Sequence, residues 1–370
     1  MLHGINVLDL SRVLAGPLCG MALGDLGANV IKVERPGTGD ESRGWGPPFD
    51  PRGESAYYLC CNRNKLGMTL DLDDDGGLDH LRRLVAGADV VIDNFKRGTL
   101  ERRGCLPEEL LAQHPRLIWC TLTGFGPDSA RPGYDFVVQG EAGWMSITGD
   151  PDGEPMKVGV ALADVLAAKD ATIAVLAALA ARASGPLSPV RRRLFVSLFH
   201  SAAAALVNVA QNTLVSGQPP RRWGNAHANL VPYQLFAARD RSVVIAVGND
   251  GQWAGLCRAL GLEEMATDPS IATNTGRLAA RERVVSAISA AVSGRQADEL
   301  VRSLLQVGVP AGVVRSVPEA LADVHASPLT GVMPLGDGVP MRPPPRLGEH
   351  TTQILAHGWQ AFGSSVVEGA

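Results

Sequence analysis

Histidine, cysteine and aromatic residues are all scarce in this chain: eight, six and 5% of 370 residues. No two histidines (His3, His80, His114, His200, His227, His325, His350, His357) stand at H-x-x-x-H spacing, and no cysteines form C-x-x-C. A metal site therefore has no support in the pattern. G-x-S-x-G is missing, which removes the usual serine-hydrolase elbow. G-x-G-x-x-G is missing after the first strand, which removes the usual pyrophosphate turn. Positive charge is not in excess, since 34 Lys and Arg face 38 Asp and Glu for a net −4, so a nucleic-acid partner is not expected. The longest largely apolar run, 171–181, is too short for a bilayer, so no membrane association is expected. The opening MLHGINVLDLSRVLAG has no basic stretch leading an apolar core, so no secretory leader is expected. The cysteines (Cys19, Cys60, Cys61, Cys105, Cys120, Cys257) read as reduced thiols, which points to the cytoplasm.

What is present describes an α/β protein long enough for two domains. Strand-like INVLDL (5–10), NVIKVE (29–34), 68–72, DVVID (89–93) and LIWCTLT (117–123) alternate with helical segments at 17–26 and 77–85. Alternation of this kind predicts a mostly parallel sheet whose ligands bind at the carboxyl ends of its strands. Arg35, Asn94, Phe95 and Gly124 fall at such ends. Glu34 closes the second strand where the acid of a ribose site would stand, but Gly20, Gly24 and Gly27 lie within or after the helix. A nicotinamide oxidoreductase is the distant alternative. The loop 35–55 is too long for a plain connector. A second unit begins near Gly217, with a strand at 241–247 followed by a mainly helical stretch.

One carboxylate stands out. In KVGVALADVLAAKDATIAVLAALAAR (157–182), Asp164 sits in an apolar lead-in where a long helix begins at about Val165. A buried bare charge costs several kcal/mol unless compensated, and a helix N-terminus is one compensator. The pattern leaves two readings open: helix N-cap, or reactive group. Basic residues near strand ends, Arg35, Lys96, Arg97 and Arg102, suit a phosphorylated ligand. Coenzyme A is such a ligand, and Asn94 and Phe95 would suit the edge and face of its adenine. Arg191, Arg192 and Arg193 read as a solvated turn, and His227 and His350 as hydrogen-bonding loop residues.

Ten segments together resemble the family III CoA-transferases, which include formyl-CoA and carnitine CoA-transferases. They are DLSRVLAGP (9–17), LGANVIKVERPGTGD (26–40), NRNKLGMTLDL (62–72), DNFKRGTLERRG (93–104), TGFGP (123–127), GYDFVVQGEAG (133–143), VGVALADV (158–165), GNAHANLVPYQLF (224–236), VGND (247–250) and LGEHT (347–351). They run in family order along nearly the whole chain. The resemblance implies that Asp164 is the nucleophile, attacking an acyl-CoA thioester to give an acyl-aspartyl anhydride and then an aspartyl-CoA thioester. It further implies coenzyme A contacts at Leu14, Ala15, Arg35, Leu70, Asn94, Phe95, Lys96 and Arg102. No prosthetic group is implied; the coenzyme A thioester and a carboxylic acid are the substrates. The implied fold is a Rossmann-like large domain (1–221), a smaller α+β domain (222–326) and a C-terminal segment (327–370) returning to the first, in an interlocked-ring homodimer.

The chain departs from that pattern at Leu14, where the transferases often carry Gln, and at Asp73, where they often carry Lys; both separate it from the plain formyl-CoA enzymes. A shorter GNAHANLVPY stands in place of their glycine-rich lid, and GPLSPVRRRLFVSLF in place of the usual turn before the SLF helix. The α-methylacyl-CoA racemases share fold and Asp, but use a His where this chain has Tyr134. A phenol with its pKa near ~10 is a poor proton shuttle at neutral pH, so transferase is favoured over racemase. A non-catalytic CoA-binding protein would not need Asp164. Among the relatives many use dicarboxylyl esters such as succinyl-CoA, and Arg43 is the residue expected to meet a distal carboxylate.

Overall fold

The computed structural model describes residues 1–334 and 341–363 and divides into two compact units. The first holds residues 1–144, 158–216 and those described from 324 onward; the second holds 145–157 and 217–323.

Six parallel strands form the middle of the first unit: β1 (Asn6–Asp9), β2 (Asn29–Glu34), β3 (Lys65–Thr69), β4 (Val90–Asp93), β5 (Ile118–Thr123) and β6 (Arg193–Ser197). Their spatial order is β3-β2-β1-β4-β5-β6. Val7, Leu8, Val30, Ile31, Val91, Ile92 and Trp119 are wholly inaccessible, as a sheet covered on both faces requires. The helices of this unit that bear on its core and cavity are α1 (Ala15–Asp25), α2 (Asp75–Ala86), α3 (Pro107–Gln113), α4 (Asp135–Glu141), α5 (Leu162–Ala183) and α6 (Leu198–Ala204). The apolar faces of α1, α5 and α6 form one core with Val7, Val90 and Ile118. Those of α2 and α3 form a second, with Leu8, Ile31 and Val91. Gly20 in α1 faces Asp9 so closely that a Cβ would fall 2.9 Å from the carboxylate, which seats the helix tightly against the end of β1.

Three expectations shift. The strand sought at 68–72 is Lys65–Thr69, because Asp74 accepts the Gly77 N–H and starts α2, turning the chain away earlier. The long helix starts at Leu162 rather than 165. Arg191–Arg193 is not a solvated turn. Arg192 is 3% exposed and donates to the carbonyls of Leu111, His114, Leu117 and Leu187, and Arg193 opens the edge strand β6. His350 accepts from the Gly67 N–H and Thr351 from that of Thr69, so the C-terminal segment hydrogen-bonds to β3.

The second unit is built on an antiparallel sheet, β7 (Tyr233–Ala237), β8 (Ser242–Ala246) and β9 (Ala311–Val313), in that order. With it pack α7 (Asp250–Leu260), α8 (Arg281–Ser293) and α9 (Ala297–Gln306), around Phe236, Val243, Ile245, Trp253, Ile288 and Leu300. His227 Nδ1 accepts from the Asn229 N–H inside this unit's first loop.

Candidate active site

Strand order reverses at β1, with β2 and β3 to one side and β4, β5 and β6 to the other. In open α/β sheets this switch point parts the loops and leaves a crevice at the strands' carboxyl ends. Here the loops after β1 and β4 are clasped by one side chain. Asn94 Oδ1 accepts from the Arg12 N–H (3.0 Å) and its Nδ2 donates to the Arg12 carbonyl (2.7 Å). The amide expected at an adenine edge also braces the crevice.

A cavity of about 640 Å³ opens there. Of the residues expected from the sequence, Asp164, Leu14, Ala15, Asn94, Phe95, Lys96 and Arg102 line it together. Arg35 and Leu70 do not. The Arg35 side chain is 70% exposed and lies 3.7 Å from Asp73, and Leu70 is buried in the core beside Leu8 and Leu78. Asp73, where a Lys was the family habit, also pairs with Arg103 (2.6 Å). Lys96 and Arg102 are the cavity cations without an acidic partner among the described residues, whereas Arg12, Arg97, Arg131 and Arg193 face Glu41, Asp128, Glu141 and Glu108.

Asp164 is not the cap. It stands in the first turn of α5, and the capping group is Asp135, from α4, whose Oδ1 accepts from the N–H of Ala163 (2.8 Å) and of Asp164 itself (3.4 Å). Asp135 Oδ2 accepts from Gln139 (2.6 Å). Gln139 is wholly buried, and it holds the lead-in to α5 through the Val158 N–H (2.8 Å) and the Val160 carbonyl (3.2 Å). One signal for this was present in the sequence, an acid at the head of a short helix, but its target lies 28 residues away.

The electrostatic result reverses the expected compensation. The N–H groups at the start of α5 are already taken by Asp135, so the helix N-terminus does not hold Asp164 ionised. Burial, and secondarily the Asp135 charge, push the Asp164 carboxyl up to about 7. No hydrogen bond reaches its carboxylate among the described residues. Nearby, burial and the charge of Asp164 raise the Tyr57 phenol to about 12. Asp135→Asn keeps an acceptor over the helix start but removes the charge. The Asp164 carboxyl, followed by infrared difference spectroscopy, is then expected to titrate below about 7 while staying above the ordinary ~4, since burial remains. An unmoved midpoint would refute the contribution of Asp135.

Other residues on the wall escaped the sequence reading. Asp93 is buried and accepts from Trp119 Nε1 and Thr121 Oγ1 (both 2.6 Å). Arg193 donates to Thr121 (2.8 Å) with its guanidinium 4.0 Å above the Phe195 ring. The expected assignment of Arg43 to a distal carboxylate fails on contact with the structure, and so does the distant ribose reading of Glu34. Arg43 forms ion pairs with Glu34 and Glu54 (both 2.6 Å) and lies over the Tyr58 ring at 3.7 Å, so its guanidinium is occupied within the fold. Glu34 is 5% exposed, receives Arg43 and the Asp40 N–H, and is unavailable to a ribose.

Comparison with known proteins follows the same line. A family model described as CoA-transferase family III matches residues 2–357. The chain is 42% identical to a succinate–glutarate CoA-transferase of Agrobacterium fabrum, covering 96% of this chain and 95% of that protein. It is 37% identical to a succinyl-CoA:glutarate CoA-transferase of Mus musculus, covering 96% and 85%. Among solved structures, a CaiB/BaiF family protein from Brucella suis superposes with a TM-score of 0.83 at 40% identity, covering 96% and 98%.

Proposed function

Because the chain belongs to CoA-transferase family III, we propose that it moves coenzyme A from a dicarboxylyl thioester such as succinyl-CoA to a second dicarboxylic acid such as glutarate, with Asp164 as the nucleophile. The observation that carries this reading is a buried carboxyl, raised to about 7, in a cavity also lined by Lys96 and Arg102, two cations without an acidic partner among the described residues.

In the ionised form an Asp164 oxygen attacks the thioester carbonyl. The C–S bond breaks, leaving an acyl-aspartyl anhydride and the CoA thiolate. The thiolate attacks the aspartyl carbonyl of the anhydride, releasing the donor acid and forming aspartyl-CoA thioester. The acceptor carboxylate attacks that thioester, giving a new anhydride and thiolate, and the thiolate takes the new acyl group while Asp164 returns as carboxylate. Splitting the exchange in this way replaces one difficult step by easier ones. A carboxylate whose conjugate acid has its pKa near neutrality is more nucleophilic than an ordinary one, and burial withholds the water that would hydrolyse the anhydride. Lys96 and Arg102 are placed to take coenzyme A phosphates.

The racemase reading needs two proton-transfer groups at the α-carbon. Tyr134, 56% exposed at the head of α4, stands where its histidine would, and no histidine lines the cavity. The proposal includes the interlocked homodimer that the resemblance implies and the cytoplasmic location read from the reduced cysteines. Exposed Phe136, Val137 and Val160 support a second subunit at this face. No helix of the described residues is long and apolar enough to cross a membrane.

The test is incubation with succinyl-CoA and glutarate, trapping with hydroxylamine or borohydride, and mass spectrometry of the peptide holding Asp164. A modification at Asp164 with formation of glutaryl-CoA is expected. An unmodified Asp164 with solvent exchange of the α-proton would favour the racemase.

A further inference from the structure

Val13 has φ +71°, a conformation that a β-branched residue rarely adopts. It lies in the turn from β1 into α1, and Val13, Leu14 and Ala15 form one wall of the cavity that holds Asp164. The peptide groups of Val13 are gripped from both sides. Its N–H donates to both carboxylate oxygens of Asp40 (3.1 and 3.2 Å), and its carbonyl accepts from Cys61 Sγ (3.5 Å). Asp40 is 1% exposed and is itself fixed by Lys32 Nζ (3.0 Å) and by the N–H and hydroxyl of Ser42 (3.0 and 2.8 Å). Lys32, wholly buried on β2, also donates to the Ser11 carbonyl (3.0 Å), two residues before Val13. The Lys32 charge keeps Asp40 ionised well below the usual carboxylate range, so the grip is not lost near neutral pH.

We propose that Asp40, fixed by Lys32, is a positioning residue for the transfer reaction: it holds Val13 in its strained conformation and so sets the wall formed by Leu14 and Ala15 against the reacting thioester. The inference rests on the transferase reading above. A buried Lys–Asp pair alone is weak support for stability, because desolvation opposes the Coulomb attraction. Strain that persists only because its surroundings over-determine it is the mark of a conformation in use. Asp40 comes from the loop after β2 and Cys61 from the stretch before β3, so two remote segments meet the Val13 peptide groups, and Lys32 within β2 fixes the first of them. An error of about 1 Å in such a wall costs about 100-fold in rate.

The decisive variant pair is Asp40→Asn and Asp40→Asn with Val13→Gly, because glycine takes positive φ at no steric cost and does not need the grip. Asp40→Asn is expected to lower kcat about 10- to 100-fold, with the Kd for free CoA, read by calorimetry, within about twofold of the parent, since the coenzyme is also held at Lys96 and Arg102. Adding Val13→Gly is expected to restore kcat to within about fivefold of that of Val13→Gly alone, which is the reference for the comparison because Val13 itself lines the cavity. Should Asp40→Asn fail to fold for want of a partner to Lys32, Lys32→Met with Asp40→Ala strands no charge and carries the same comparison with and without Val13→Gly. A kcat unmoved by loss of Asp40, or lost but not restored by Val13→Gly, overturns the inference. Trapping at Asp164 in the parent protein checks the transferase reading separately: absence of the adduct there, with kcat still lowered by Asp40→Asn and restored by Val13→Gly, would refute that reading alone.

Discussion

Asp164→Asn is expected to cut CoA transfer by ~10⁴-fold or more, to abolish trapping, and to make the protein more stable at pH 8. The two effects have one origin. A carboxyl at about 7 in the folded state and near ~4 when unfolded means that the folded protein binds the extra proton between those values. Stability therefore falls as pH rises from ~4 to ~7 and levels off above. Asparagine carries no such cost. Its advantage over the parent should be near zero at pH 4 and grow to about 2–4 kcal/mol at pH 8, read from urea titrations at the two pH values. Activity should run the opposite way, with kcat/KM of the parent rising with pH through about 7 as the nucleophile ionises. A variant that loses activity but gains no stability at pH 8 would show that Asp164 is not desolvated as described.

Arg43→Ala is expected to damage the fold rather than the choice of substrate. It leaves Glu34 and Glu54 facing each other in a largely buried site and removes the cation above Tyr58. Breaking one partner of a buried ion pair costs about 3–5 kcal/mol. Removing all three charges together (Arg43→Met, Glu34→Gln, Glu54→Gln) should recover much of it, because no ion is then stranded. Denaturation curves measure the first, and KM values for monocarboxylate and dicarboxylate acceptors measure the second. A stable Arg43→Ala protein with a raised KM for dicarboxylates alone would restore Arg43 to the substrate.

These cases mark what the sequence can and cannot reveal. The strands of the sheet were legible because burial on both faces makes them continuous apolar runs, as in NVIKVE and DVVID. β6 was not, since its approach is PVRRR, and only the fold shows Arg192 satisfying four carbonyls in the interior. The family and the cavity residues at 14–15, 94–96 and 102 were readable from motifs. The roles of Asp135, Asp40 and Arg43 were not, because each depends on a partner brought close by the chain's path. The cap reading of Asp164 was removed by a carboxylate 29 residues upstream that takes the capping position.

The helix that bears Asp164 is also a strut. Its 22 residues span about 33 Å, and it is pinned at both ends: by Asp135 at the head, and at the foot by Arg182, which donates to Asp89 (2.8 Å) and to the Arg116 carbonyl (2.5 Å). A rigid rod fixed at two points transmits a tilt at one end as a displacement at the other. The Asp164 carboxyl is thus tied, through its helix, to the amino-terminal edge of the sheet, where β4 begins. Asp89 holds the foot of the same rod whose head carries the Asp164 carboxyl.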